Sequence, residues 1–414
     1  MKKIGFVSTR IAGTDGVSLE TYKWYQVLTR NGFDCFFFAG ELDTPPDNSF
    51  LVPKAHFNHP EILEIYHASF GSQTREKILT NRIHELKDQL KSRLYEFCKQ
   101  FAINILIPEN ALAIPLNIPL GMAITEFIAE TGMPCIAHHH DFAWERKRFL
   151  INAVQDFLLY AFPPNLQYIR HVVINSEASR QLSYQRGVSN VIIHNVFDFA
   201  NPPQAGNKKS RLLRQELGFD KSDLFLLQPT RIVPRKWIER AVELASLLEM
   251  EHPRVVVSHK YGDEGDVYAE RIIEFADRLG VEIIYIGDMI GPLRCFNMKS
   301  DKGYAIDDAY QAADIVSYPS GYEGFGNAFL EAVYFKKPIV VNRYSIFVED
   351  IEPCGFNVIA FESFVTKKTV ERLKTFLEPI NLNTAVEKNY ELGKKFFSYE
   401  VLEQKLLSII ASFT

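Results

Sequence analysis

Short apolar runs alternate with longer amphipathic stretches along the chain. Residues 3–8 and 35–40 are apolar runs, and the second has the continuous apolar pattern of a strand covered on both faces. A helical pattern lies between them and ends near Gly32, a typical C-terminal stop. Apolar residues recur every three to four positions over most of residues 74–101, which predicts a long amphipathic helix. The chain therefore opens as a β-loop-α-β unit.

The same alternation of strands and helices continues in the second half. Apolar runs at residues 224–227, 255–258 and 283–286 are separated by helical patterns over residues 237–250 and 267–279. Strands that alternate with helices of this length predict parallel sheets. We therefore expect an α/β protein in which two doubly wound, Rossmann-like domains face each other across a cleft. Ligands would bind at the carboxyl ends of the strands.

A polar segment rich in turn-forming residues, 201–210, separates the two halves and is the best candidate for a linker. The boundaries that we predict are an N-terminal domain over residues 1–198, a linker over 199–220, a C-terminal domain over 221–386 and a terminal helix over 387–414 that returns to the first domain.

Composition and charge exclude several classes of protein. The 414 residues are 47% hydrophobic and 23% charged, as in ordinary globular proteins. The 51 acidic residues exceed the 46 basic ones, so the charge of -5 gives no general basis for binding nucleic acid or an anionic membrane. The most apolar stretch, 103–124, is interrupted by Glu109 and by several Asn and Pro residues, so it does not predict a membrane-spanning helix.

Cysteine usage indicates a reducing compartment. The five cysteines are scattered and form no C-x-x-C pair, which fits neither a disulfide framework nor a zinc ribbon. The apolar run at the N-terminus is too short for the core of a signal peptide. We therefore expect a soluble, cytoplasmic protein.

The strongest candidate chemistry lies between a predicted strand at residues 314–319 and a predicted helix at 327–335, which a glycine-rich loop connects. On one continuous helix, Glu323 and Glu331 would be roughly 12 Å apart, too far to serve one small group. The loop glycines let the chain double back, so that both carboxylates flank the free N–H groups of the first helical turn, an anion site. Either glutamate alone is more often a solvated carboxylate. Together they suit a sugar nucleotide.

These residues resemble a known family. Glu323-Gly324-Phe325-Gly326, with Glu331 eight positions after Glu323, resembles the E-x7-E motif of family 4 retaining glycosyltransferases with the GT-B fold. The resemblance extends over nearly the whole chain. Arg231 and Lys236, which follow the predicted strand at residues 224–227, match the Arg-x4-Lys pattern of the family. The other matching segments are residues 195–198 at the interdomain signature, residues 337–341 after the motif helix, and the C-terminal helix from residue 397.

The resemblance implies a role for each matching residue. Arg231 and Lys236 would neutralise the donor diphosphate, although such residues alone are more often a solvated helix start. Glu331 would hold the ribose, and Glu323 would contact the donor sugar. The other donor-binding residues implied are Gly16, Gly324, Phe325, Gly326 and Asn327. Asn327 and Ala328 depart from the apolar residues common in the family, and the loop at 13–17 departs from its usual Gly-Gly-Val.

Three hypotheses stay open for the histidine run that follows the predicted strand at residues 133–137. The run could bind a metal ion, could be structural, or could supply one histidine that bonds a hydroxyl of the donor sugar, as the family implies. We favour His139, with His140 next, as the active-site histidine. The retaining mechanism implied by the family needs no carboxylate nucleophile, because a phosphate oxygen of the leaving group can take the acceptor proton.

The acceptor side is predicted from Asp15, His140 and Arg146. Residues 144–148 are basic and carry an aromatic neighbour; they are typical of a solvated helix face, but they could also receive an anionic group such as a glycerate. Residues 13–20, 108–111 and 138–146 resemble enzymes that make mannosylglucosylglycerate-type solutes.

The resulting expectation is a retaining hexosyltransferase that needs no metal or other cofactor. Its partners would be a nucleotide-sugar donor, with GDP-mannose favoured, and a small hydrophilic acceptor such as glucosylglycerate. The sequence does not decide whether the protein forms a homodimer. The alternatives are a UDP-glucose-dependent glucosyltransferase, a sugar-nucleotide 2-epimerase of the same fold, or a binding protein without turnover. Specificity for the base would rest on loops such as residues 258–262.

Overall fold

The computed structural model describes residues 2–203, 206–220, 223–259, 266–291 and 303–413. These residues form two compact units. The first runs to His194 and includes the chain again from Leu402, and the second extends from Asn195 to Val401. Among the described residues, no helix is long and apolar enough to cross a membrane.

The first unit is built on one parallel sheet with helices between the strands. Its strands are β1 (Lys3–Val7), β2 (Asp34–Ala39), β3 (Ser49–Leu51), β4 (Ile105–Pro108), β5 (Cys135–His139), β6 (Ile169–Val173) and β7 (Asn190–Ile192). Its helices are α1 (Gly16–Arg30), α2 (Pro60–Ser69), α3 (Lys77–Phe101), α4 (Ile118–Thr131), α5 (Lys147–Leu150), α6 (Gln155–Ala161) and α7 (Ser176–Arg186).

The strand order of the first sheet is β3-β2-β1-β4-β5-β6-β7, so the direction of winding reverses between β1 and β4. In the parallel register, Ile4 lies opposite Cys35 on one side and Ile105 on the other. Both faces of the central strands are buried, as the continuous apolar runs predict. Side chains of α3 and α4, such as Leu94 and Phe127, pack with the strands in one hydrophobic cluster.

The second unit repeats this architecture. Its strands are β8 (Leu226–Gln228), β9 (Arg254–Val257), β10 (Glu282–Tyr285), β11 (Ile315–Tyr318), β12 (Ile339–Asn342) and β13 (Ile359–Phe361). Its helices are α8 (Lys208–Glu216), α9 (Ile238–Leu247), α10 (Asp266–Leu279), α11 (Ile306–Ala312), α12 (Asn327–Tyr334), α13 (Lys367–Phe376) and α14 (Pro379–Phe396).

The second sheet has the order β10-β9-β8-β11-β12-β13, and winding reverses between β8 and β11, where Leu227 lies opposite Val316. Two parallel sheets of this topology confirm the predicted class of doubly wound α/β domains. In such sheets ligands bind beyond the carboxyl ends of the strands, at the point of reversal. The loops after β1, β4, β8 and β11 are therefore the places to look for a site.

Three segments add detail to the predicted organisation. Part of the segment predicted as a linker is the helix α8, whose Arg214 bonds the Ala312 carbonyl oxygen at 2.8 Å and Asp314 at 2.8 Å. The last helix, α15 (Tyr399–Ala411), belongs to the first unit from Leu402 onward. There Lys405 donates to the carbonyl oxygen of Ile192 at 2.8 Å. Residues 260–262 of the predicted specificity loop lie outside the described residues.

Candidate active site

In the second unit, two loops approach each other at the reversal point of the sheet. The loop after β8 carries a short 3-10 helix, Pro234–Lys236, and the loop after β11 contains Gly321 and Glu323. The amide of Gly321 donates to the carbonyl oxygen of Arg235 at 2.9 Å. A Cβ atom on Gly321 would lie 2.5 Å from the ring of Trp237, so the glycine is what permits this approach.

Glu323 connects the two loops through its carboxylate. Oε1 accepts a hydrogen bond from Lys236 Nζ, and Oε2 accepts one from Arg235 Nη1 at 3.0 Å. The Glu323 side chain is buried, which by itself raises the pKa of the carboxyl, but Lys236 and Arg235 outweigh burial and hold that pKa below its usual value. Burial lowers the pKa of the Lys236 ammonium, and Glu323 opposes this shift only in part. Glu323 and Lys236 thus form an ion pair in the interior of this unit.

The other predicted cation, Arg231, lies close enough to Lys236 to interact with it through charge. Its side chain is exposed, and its charge acts on both Lys236 and His259. Burial, Lys236 and Arg231 together lower the pKa of His259 to about 4. Ser258 Oγ and His259 Nδ1 are 2.8 Å apart at the end of β9. Three cationic side chains, Arg231, Arg235 and Lys236, thus lie after β8.

The glycine-rich loop ends at Gly326, where α12 begins. Its φ of 140° lies in the region that favours glycine, and a Cβ atom there would lie 2.5 Å from Tyr344 Oη. Tyr344 donates to the carbonyl oxygen of Phe325 at 2.7 Å, and the Phe325 ring packs edge-to-face on Phe397. Gly326, the N-cap residue of α12, has no side chain with which to cap the helix. The first helical turn is therefore suited to bind an anion through its N–H groups.

The structure gives the two glutamates of the predicted pair separate partners. Glu331 lies one turn into α12 and accepts a hydrogen bond from the buried Tyr310 hydroxyl at 2.6 Å. Asn327, the first residue of α12, accepts from Asn195 Nδ2 through Oδ1 at 2.7 Å. Along the chain, the start of α12 lies between Glu323 and Glu331.

In the first unit, Asp15 caps the helix that follows β1. Asp15 Oδ1 accepts from the amides of Val17 and Ser18, and Oδ2 accepts from the Ser18 hydroxyl at 2.7 Å. Arg10 completes the arrangement with an ion pair to Oδ2 at 3.0 Å. Gly16 is the first residue of α1. Both predicted residues therefore lie at the start of this helix, and both oxygens of Asp15 are occupied within the unit.

The strand before the histidine run was predicted to end at residue 137, but β5 extends through His139. Two of the three histidines therefore lie within the strand. His138 and His139 pair with Val172 and Val173 of β6, so the two imidazoles point to opposite faces of the sheet. His139 Nε2 lies 2.9 Å from His171 Nδ1, and both rings are buried. Burial holds the pKa of His139 well below its usual value. The structure therefore does not bring His139 together with His140.

His138 and His140 share the other face with Glu109, which follows β4. Glu109 Oε2 lies 2.8 Å from His138 Nδ1 and 3.4 Å from His140 Nε2. The indole of Trp24 stacks on His138 at 4.1 Å. Burial raises the pKa of the Glu109 carboxyl to about 7, although His140 opposes this shift. Burial also lowers the pKa of His138 to about 3 and the pKa of His140.

This cluster is also where a metal ion could be held. The ligand atoms of Glu109, His138 and His140 all lie within 4.8 Å of one another, and they form the one such group in the described part of the chain. Two imidazoles and a carboxylate are ligands that zinc accepts. The same three groups also contact one another through Glu109 Oε2.

Asn110 holds the end of β5 against the end of β4. It adopts a positive φ of 56°, and its Oδ1 accepts from the amide of His140 at 3.0 Å. Its Nδ2 donates to Asp141 Oδ1 at 2.8 Å. Asp141 in turn pairs with Arg146 at 2.6 Å, and the Arg146 side chain remains half exposed. Arg146 is thus held beside the histidine cluster and can still reach solvent.

Three residues that contact predicted site residues were not themselves predicted from the sequence: Arg235, Glu109 and Tyr310. Arg235 adjoins Lys236, and a second cation after the same strand was a usable signal. Glu109 directly follows an apolar strand, at the sheet edge where ligands bind. No local sequence pattern predicts the role of Tyr310, because its contact with Glu331 is between two separate helices.

Each unit therefore has polar side chains at the reversal point of a doubly wound sheet. The second unit combines three cations, two carboxylates and a helix that starts at a glycine, the features of a class of doubly wound proteins that bind phosphate-bearing ligands.

Comparisons with known proteins agree with this class. A model of the family described as glycosyl transferases group 1 matches residues 296–391. The mannosylglucosylglycerate synthase of Thermotoga maritima is 30% identical over an alignment 442 positions long, which covers 98% of this chain and 98% of that enzyme. The synthase of the same name from Petrotoga mobilis is 28% identical over an alignment 433 positions long, which covers 95% of this chain and 98% of that enzyme.

A solved structure shows the same fold. The crystal structure of HepE from Anabaena in complex with UDP-glucose aligns with a TM-score of 0.62 over 100% of both chains, with 15% sequence identity. The chain belongs to the group 1 glycosyl transferases and has the GT-B fold. It is a hexosyltransferase, which confirms the family and the class of enzyme predicted from the sequence.

Proposed function

We propose that the protein is a retaining mannosyltransferase that transfers mannose from GDP-mannose to a small anionic acceptor of the glucosylglycerate type. The observation that carries the proposal is the cluster of Glu323, Lys236 and Arg235 beside the uncapped start of α12. The two relatives named mannosylglucosylglycerate synthase support the choice of mannose and of the acceptor.

The second unit binds the donor in this proposal. Arg231, Lys236 and the first-turn amides of α12 stabilise the diphosphate, whose negative charge grows as the glycosidic bond breaks. Fixed cations and helix N–H groups can do this without a metal ion, so we propose that transfer needs none. Glu331, oriented by Tyr310, accepts hydrogen bonds from the ribose hydroxyls. Glu323 bonds hydroxyls of the sugar.

The first unit binds the acceptor in this proposal. Arg146, whose half-exposed guanidinium also pairs with Asp141, binds the carboxylate of a glycerate group. His140 is the histidine that bonds a sugar hydroxyl, because His139 is buried against His171. Asp15 maintains the start of the helix that begins at Gly16.

We also propose a cytoplasmic location, on the evidence of the cysteines. The cysteines Cys35, Cys98, Cys135 and Cys354 are free thiols, as a reducing compartment allows.

The decisive experiment incubates the enzyme with glucosylglycerate and either GDP-mannose or UDP-glucose, and measures the released nucleotide and the glycoside. We expect mannosyl transfer from GDP-mannose, unchanged by EDTA. Transfer from UDP-glucose alone would favour the glucosyltransferase alternative. Conversion of the donor without any acceptor would favour the 2-epimerase. A donor that binds without turnover across an acceptor panel would favour a binding protein.

A further inference from the structure

Glu109 lies in the interior of the first unit and is the group on which His138 and His140 converge. Its side chain is 0% exposed, that of His138 is 1% exposed and that of His140 is 9% exposed. A single oxygen, Oε2, faces both imidazoles, and the other oxygen, Oε1, is buried without a hydrogen-bond partner among the described residues. Of the three, only His140 is within reach of a small molecule.

We propose that Glu109 is a positioning residue for hexosyl transfer, which fixes the ring orientation and the tautomer of His140. Its carboxylate accepts the Nε2–H of His140, so that Nδ1 is left unprotonated and accepts a hydrogen bond from a substrate hydroxyl. This inference rests on the proposed function, in which His140 faces the sugar.

The backbone around His140 favours this arrangement. Asn110 Oδ1 accepts a hydrogen bond from the backbone amide of His140, and the backbone amide of Asn110 donates to the carbonyl oxygen of His138 at 2.8 Å. These bonds fix the backbone at the ends of β4 and β5. The Trp24 indole stacks on the His138 ring, and the centroids of the His138 and His140 rings are 4.4 Å apart. Glu109 Oε2 faces His140 Nε2 at 3.4 Å.

The geometry also explains why one carboxylate serves two imidazoles. An ionised carboxylate oxygen has two lone pairs and accepts two N–H groups. The bond to His138 is short, at 2.8 Å, whereas the contact to His140 is long, at 3.4 Å. Hydrogen bonds of catalytic groups are often long without substrate and tighten in the complex. His138 therefore fixes Glu109, and Glu109 orients His140.

The competing explanation is that Glu109 only satisfies His138 in the interior. Both explanations predict some loss of stability on substitution, so stability alone does not decide between them. They differ in the tautomer of His140 and in the effect on turnover. A wrong tautomer in a comparable carboxylate–histidine pair lowers turnover by up to about 10⁴-fold.

The test combines spectroscopy and kinetics. The enzyme labelled with ¹⁵N-histidine is examined at pH 8 by long-range ¹H–¹⁵N correlation, with His140→Asn used to assign the signals of His140. We expect the Nε2–H tautomer in the wild type. Glu109→Gln should populate the Nδ1–H form, because the new amide can donate to Nε2, and kcat should fall at least about tenfold with KM for both substrates within about threefold.

The matched control is Glu126→Gln, which removes another carboxylate of the first unit, one that bonds Lys87 and Lys91 at 2.8 Å. This variant should leave kcat and the His140 tautomer unchanged. If Glu109→Gln fails to fold, the wild-type spectrum still decides the matter, since an Nδ1–H tautomer or an imidazolium would overturn the proposal.

Two further results would overturn the role of Glu109. One is a kcat for Glu109→Gln within twofold of the wild type. The other is stoichiometric zinc in the purified enzyme that is lost in Glu109→Gln, because the imidazole nitrogens would then bind metal. A wild-type enzyme that transfers no hexose from any donor would instead contradict the proposed function, and the tautomer measurement separates the two failures.

Discussion

Glu323 and Lys236 are 87 residues apart in the sequence and form a buried ion pair beyond the carboxyl ends of β11 and β8. The two side chains are only 9% and 10% exposed. A buried ion pair adds little net stability, but removal of one partner leaves an uncompensated charge. The same two residues are proposed to contact the donor, so stability and activity can be separated at this pair.

Lys236→Met should abolish transfer and destabilise the second unit by roughly 3 kcal/mol, because the buried Glu323 then loses its closest cationic partner and keeps the half-buried Arg235. The double variant Lys236→Met with Glu323→Gln should regain most of that stability and no activity. Chemical denaturation and initial rates measure the two effects. Full activity in either variant would contradict the assignment of this site.

Arg231→Ala should raise KM for the donor at least about tenfold and leave the unfolding free energy nearly unchanged, because the arginine side chain is exposed and acts through charge. The control is Arg372→Ala, which removes an exposed arginine of α13 whose bond is to the carbonyl oxygen of Ala360. Steady-state kinetics with varied donor measure the difference. Equal KM values for the two variants would argue against a diphosphate contact by Arg231.

Asp15→Ala should lower the unfolding free energy by about 1 kcal/mol, because it removes the side-chain cap of α1. Asp15→Asn should restore most of this loss, since asparagine caps helices nearly as well. Thermal denaturation compares the two variants. A midpoint that is the same for Asp15→Ala and the wild type would contradict the capping role. An acceptor KM raised in the stable Asp15→Asn variant would indicate an additional contact with the acceptor.

The buried pair His139 and His171 should make the first unit sensitive to acid. Burial lowers the pKa of His171 to about 4 in the folded state, whereas the unfolded chain binds the proton near pH 6.5. The unfolded state therefore binds more protons between these values, and stability should fall by up to about 3 kcal/mol as the pH drops from 6.5 to 4.

His171→Asn should make this decline shallower when unfolding by urea is measured at several pH values. His67→Asn, which replaces an exposed histidine of α2, should leave the decline as steep as in the wild type. An unchanged slope in His171→Asn would show that other groups cause the acid sensitivity.

Much of the fold follows from local patterns in the sequence. The apolar runs and helical periods predict both parallel sheets, because buried parallel strands require continuous apolar residues. The glycines at 321, 324 and 326 likewise predict a loop that turns back to a helix start. Pairings between distant residues do not follow from such patterns. The contact of Tyr310 with Glu331 depends on how two helices pack, and the contact of Arg235 with Glu323 depends on how two loops pack.

The histidine run illustrates the same limit. The sequence places three histidines at the carboxyl end of a strand, but the end point of β5 decides which imidazoles share a face. Because the strand includes His139, alternation directs His138 and His140 to Glu109 and directs His139 to His171. A difference of two residues in a strand boundary therefore changes which histidine is expected to face the substrate.

Transfer of mannose to the acceptor with retention of configuration is the activity proposed for this enzyme. Proton NMR of a reaction started with GDP-mannose and glucosylglycerate tests it most directly, because the anomeric signal of the first product reports the configuration. We predict an α-mannoside that appears in equal amount with GDP. A β-mannoside, or release of GDP without any glycoside, would contradict the account.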